Sequence, residues 1–207
     1  YVGHTEPYDD YAAGGTADVN ANWVTRDPNL FQTIRRYGNL EEMRNAAAKL
    51  SLAAATQRSA AVIIDTDYNR FAFLGVAGLR NYGILNDPGL NATITPAATG
   101  TSSGTKWETK TTKLIFDDIL SLFQQLVLQT AGKVSKDDKL IFAMSPETAV
   151  RLASATDFNV SVTKMMDGYF RNYTIVTAPE YTTTGGELVQ CIAVEIDGQE
   201  TGVIGFN

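Results

Sequence analysis

One histidine and one cysteine set the limits of the chemistry this chain can perform. Hydrolysis by a Ser–His or Cys–His pair needs an imidazole held within hydrogen-bond reach of the nucleophile. The imidazole here is His4, three residues from the start of a segment that reads as an extended arm. Cys191 falls mid-strand among Val189, Ile192 and Val194, where a buried, inert thiol is the plain reading. A zinc site would have to be nearly all carboxylate, a donor set that ion disfavours. Acidic pairs stand at Asp9-Asp10, Asp117-Asp118 and Asp137-Asp138. They are the residue type for a glycosidase pair or a calcium site, but neighbours on a helix point about 100° apart, and solvated surface explains them as well. Gly75-Val-Ala-Gly78 lacks both the Walker lysine and the strand–loop–helix setting of a nucleotide site. The inventory therefore names no catalytic, cofactor-binding or metal-ligating residue, and it points away from an enzyme and from any cofactor.

Composition narrows the class further. The 207 residues are 44% hydrophobic and 10% aromatic, enough for one sizeable core or a core with a smaller lobe. Mean hydropathy is -0.11 and no apolar run approaches 18 residues, so no membrane span is expected. The first residues have neither the basic nor the apolar region of a signal peptide, and the sequons at Asn91, Asn159 and Asn172 read as chance matches. A lone cysteine fits a reducing compartment and excludes an internal disulfide. With 17 basic against 23 acidic residues and no basic tract, sequence-specific nucleic-acid binding is not expected.

The elements that must position these residues follow in order. Residues 1–39 are polar, with Gly14-Gly15 and the turn signal Asp27-Pro28, yet carry six aromatics: Tyr1, Tyr8, Tyr11, Trp23, Phe31 and Tyr37. An arm this long cannot bury them all locally, so another subunit is the expected partner surface. From Leu40 to Asn69 apolar residues recur in steps of three and four without Gly or Pro, which predicts one long helix, N-capped by Asn39. Its stripe is mostly alanine, Ala54 and Ala61 included, which invites close approach by a sheet or another backbone; a coiled coil is the alternative. Phe71 to Pro96 reads as short strands and turns, and Thr99 to Thr105 as a flexible loop. A second helix is predicted from about Thr112 to Thr130, stopped by Gly132 at C′. A strand at Lys139–Ala143, a helix from Ser145-Pro146 to about Ala155 and a helix over Val160–Tyr169 follow. Strands come next at Tyr173–Thr177 and Leu188–Ile196, with an Asp197-Gly198 hairpin into Glu200–Phe206.

One run carries a family resemblance: Phe71-Ala-Phe-Leu-Gly75-Val-Ala-Gly78-Leu-Arg-Asn-Tyr-Gly83-Ile-Leu-Asn86-Asp-Pro88. Placed after a long helix and an aromatic arm, it resembles tailed-bacteriophage major capsid proteins and encapsulins, where a spine helix hands over to a sheet. The resemblance implies an α+β tailed-phage capsid fold. Residues 1–39 would be the extended loop, 40–110 the spine helix with part of the peripheral domain, and 111–207 a mixed β/α axial domain. It implies a structural subunit of a phage or prophage virion, assembled in the host cytoplasm into pentamers and hexamers around DNA. Scaffold, portal or cement proteins are the further partners. Tyr8, Tyr11, Trp23 and Phe31 would be intersubunit anchors, with Arg26, Arg35 and Arg36 as charge partners. An encapsulin-like compartment is the second reading and an acidic-site hydrolase the third. The family's N-terminal arm would precede Tyr1 and the return to the peripheral domain would follow Asn207, so the chain reads as a fragment. Some members crosslink through an extended-loop lysine, and residues 1–48 contain none, which implies a shell held by non-covalent contacts.

Overall fold

From residue 39 the chain is rich in strong helix formers, and the structure, a computed structural model, is helical there in two pieces. It describes residues 2–3, 5, 17–18, 25–36, 38–48, 51–99, 104–154 and 160–201. Two units divide the chain, residues 1–90 and 91–207. In the first, β1 (Val2–Gly3) pairs antiparallel with β2 (Ala17–Asp18), Val2 opposite Asp18 and Gly3 opposite Ala17. Helices α1 (Asn39–Ala47) and α2 (Leu52–Leu74) follow. The single rod expected over Leu40–Asn69 is thus corrected to two helices, the second continuing to Leu74. Ser51 stands before α2 in extended conformation, φ -84 and ψ 91, a cap position that serine favours over a helix interior. The cap of α1 is likewise Gly38 rather than Asn39, which is already helical. Neither helix buries a side chain among the described residues, and Ala54 and Ala61 are exposed. The close approach inferred from the alanine stripe is not made among the described residues.

The glycine-punctuated passage does a different job from the strands expected of it. Phe71 to Leu74 is the last turn of α2, whose carbonyls have no partners inside the helix. The chain folds back to supply them. Ile84 N–H donates to the Ala72 carbonyl and Leu85 N–H to that of Phe73, both at 3.0 Å, and the Asn86 side-chain amide reaches the Leu74 carbonyl at 2.6 Å. Gly75 permits the reversal with φ 63, and a Cβ there would sit 2.2 Å from the Asn81 carbonyl oxygen. Gly83 lies so close beneath the helix end that a Cβ would meet the Phe73 carbonyl carbon at 2.3 Å. Both positions therefore require glycine.

The second unit holds the core. Helix α3 (Thr112–Gln129) turns Ile115, Ile119 and Phe123 inward at i, i+4 spacing. Strand β3 (Leu140–Met144) is the centre of a three-stranded sheet and presents Leu140, Phe142 and Met144, all fully buried. Helices α4 (Pro146–Arg151) and α5 (Val162–Tyr169) form the crossover to β4 (Tyr173–Thr177), which pairs parallel with β3 from Leu140 opposite Tyr173 onward. Ser145 and Ser161 cap the two helices, accepting from the backbone N–H of Thr148 and Lys164. Short strands β5 (Thr182–Thr183) and β6 (Gly186–Glu187) make a tight ladder. Strand β7 (Val189–Ala193) then returns antiparallel on the other side of β3, with Cys191 opposite Phe142. The strand expected to run unbroken to Ile196 bends at Val194 and resumes as β8 (Glu195–Ile196), paired with β9 (Gln199–Glu200) across Asp197 and Gly198, both at positive φ. Val162, Met166 and Phe170 close the cluster, Phe170 lying 5.2 Å from the rings of both Phe123 and Phe142. Two helix ends differ from expectation. Helix α4 stops at Arg151, and α3 ends in a paired-bond cap with Ala131, not Gly132, at C′: Gly132 N–H donates to Val127 and Ala131 N–H to Leu128.

Candidate intersubunit surface

Charged side chains near Asp27-Pro28 find partners in the turn after α2. Arg80 brings three donors to the Asp27 carboxylate: its backbone N–H at 3.1 Å, Nε at 3.3 Å and Nη2 at 3.2 Å. The exchange is returned along the backbone, Asp27 N–H donating to the Arg80 carbonyl at 3.3 Å. One residue earlier, Arg26 donates to Asp87 at 2.7 Å and lies 5.2 Å over the Tyr82 ring. These hydrogen bonds hold the Asp27 carboxyl below the ordinary aspartate range, the Arg80 side chain contributing most. Asp87 is held low too, first by the Gly89 N–H and then by Arg26. Both pairs are solvent-exposed and screened by salt, so they contribute direction more than stability.

Beyond this clasp the chain offers apolar groups to solvent. Leu30 is 97% exposed, Ile34 66% and Met43 68%. Val62, Ile63 and Tyr68 are exposed along α2. Within residues 1–90, Gly83 is the buried position among the described residues, whereas the buried hydrophobic side chains run from Ile115 to Ala193. Exposed apolar surface of this kind, with no buried hydrophobic side chain among the described residues of the unit, marks protein–protein contacts.

Of the anchors expected from sequence, Tyr8, Tyr11 and Trp23 lie outside the described residues. Phe31 is partly covered, its ring 5.2 Å from Phe71 of the same chain in an edge-to-face contact. Arg26 is paired with Asp87, and Arg35 and Arg36 are exposed. Asp27, Arg80 and Asp87 were legible only as turn residues, since nothing local links positions 53 or 61 apart.

His4 lies outside the described residues. Cys191 is half-buried, and burial pushes its thiol up to about 12, which leaves little thiolate at neutral pH. Asp118 corrects the solvated reading of its pair: its carboxylate is 8% exposed and accepts from Lys110 Nζ at 2.6 Å and Trp107 Nε1 at 2.9 Å, the Lys110 side chain being wholly buried. Asp118 falls three residues after Ile115, on the apolar face of α3, a position that itself called for a partner; Asp117 is exposed. Asp137 lies 3.9 Å from Arg171, and Asp138 accepts from Ser135 N–H. Among the described residues no three His, Cys, Asp or Glu side chains converge as metal ligands, and no helix is long and apolar enough to cross a membrane.

Compared with known families, the chain matches over residues 1–207 the family described as Pa193 gp26 major capsid protein. No curated protein matches the sequence.

Proposed function

This chain belongs to the Pa193 gp26 major capsid protein family, a structural family of the phage virion, and on that premise we propose how it builds a shell. Copies associate into pentamers and hexamers that close an icosahedral shell around DNA, assembled in the host cytoplasm with scaffold, portal or cement proteins as further partners. Residues 1–39 act as the extended loop, 40–110 as spine helix and part of the peripheral domain, and 111–207 as the axial domain. The observation that carries the reading is the division of burial. Residues 115–193 contain a filled core, while α1 and α2 bury no side chain among the described residues. Covering Leu30, Ile34, Leu40 and Met43 on a neighbouring copy would contribute about 1.5–3 kcal/mol for each side chain fully buried, which rewards assembly and not folding. Tyr8, Tyr11, Trp23 and Phe31 serve as anchors there, with Arg35 and Arg36 at the charged rim, while Arg26 is held by Asp87 of its own chain. With no lysine in residues 1–48, the contacts are non-covalent.

The full chain expressed alone or with its scaffold, viewed by negative-stain microscopy and sedimentation, tests this. Closed particles are expected, and the double substitution Leu30→Ser with Ile34→Ser should reduce them severalfold without altering the melt of the core. Unchanged particle yield in that variant would remove the arm from the interface.

A further inference from the structure

Two exposed ion pairs within the arm are joined by bonds that fix direction as well as distance. Asp27 and Arg80 bond through carboxylate and guanidinium, through the Arg80 N–H to the carboxylate, and through the Asp27 N–H to the Arg80 carbonyl. The neighbouring Arg26–Asp87 pair, at 2.7 Å, blocks rotation about that first attachment. A planar fork on a carboxylate tolerates little reorientation, unlike a point-charge pair. Pro28 comes next, with its φ fixed by the ring and no N–H to donate, so the path leaving Asp27 is stiff as well. Leu30 and Ile34 stand exposed between this clasp and α1, on a stretch tied to its own chain at both ends.

The geometry points to Asp27 and Arg80 as positioning residues that tie the stretch before α1 back to its own chain, and so set the angle at which Leu30 and Ile34 engage a second copy. Shell curvature is then written partly into an intrachain clasp rather than only into the contact between copies. This rests on the reading that the arm touches a second copy.

The test uses the full chain and compares Asp27→Asn, Arg80→Gln and Asp27→Glu with the Leu30→Ser, Ile34→Ser double variant. Two quantities are read: total assembled protein by sedimentation, and the ratio of closed, uniform particles to open sheets or tubes by negative-stain microscopy. For Asp27→Asn and Arg80→Gln, total assembly should hold while the closed-to-open ratio falls severalfold. Asp27→Glu, which keeps the charge and the fork, should recover part of it. An unchanged ratio in both clasp variants overturns the inference, as does a fall in total assembly at constant ratio, which marks the pair as merely stabilising. If instead the Leu30, Ile34 variant assembles normally, the interface reading fails first, and the two failures are told apart.

Discussion

Lys110 and Asp118 form a buried ion pair, 2.6 Å long, beside helix α3. A charged side chain three residues from Ile115 on the buried face of α3 must be paired or pay a heavy desolvation cost, and the structure supplies Lys110 and the Trp107 N–H. Removing one partner should therefore cost far more than removing both. Lys110→Met alone is expected to destabilise by about 3–5 kcal/mol, and Lys110→Met with Asp118→Leu by markedly less. Denaturant melts of the two variants and of Asp118→Leu close the cycle; a double-variant loss equal to the sum of the two single losses would mean that the pair is not coupled. Cys191 was legible from its strand neighbours alone. The Asp27–Arg80 and Arg26–Asp87 pairs were not, because a contact between residues 53 or 61 apart is decided by how α2 ends and not by any local pattern.

At the scale of elements, periodicity found α3, β3 and β4 nearly to the residue, and the Asp197-Gly198 turn supplied a hairpin whose second strand ends at Glu200, residues 202–206 of the expected strand lying outside the described residues. It failed at two places. Ser51 interrupts a run whose apolar spacing never falters, and the glycines after Leu74 serve to wrap backbone over a helix end, not to separate strands. The clasp that forms there has a defined response to acid. Both aspartates have folded values depressed below the ordinary 3.8, so their contribution is complete above that value and is lost as pH falls through the lower folded values. The clasp should be constant from pH 5 to 8 and open only below about pH 4. Carboxyl carbon shifts of Asp27 and Asp87 in the dissociated chain report this directly, and a midpoint above about 4 for either would contradict the bonding described.

For the whole molecule, the family and the α+β class were legible before any coordinates, from the order arm, long helix, glycine-rich passage and β/α region; the family match extends over residues 1–207. What the sequence could not disclose is the unequal share of burial between the units. That inequality is the physical centre of the proposed function, because helices with no fully buried side chain among the described residues are marginal until something covers them. Amide hydrogen exchange of α2 and α3, measured on dissociated chains and on assembled particles, tests it most directly. The account predicts fast exchange through α2 in the dissociated chain, slowed by at least about tenfold on assembly, while α3 and β3 exchange equally slowly in both states. Equal protection of α2 before and after assembly would contradict it.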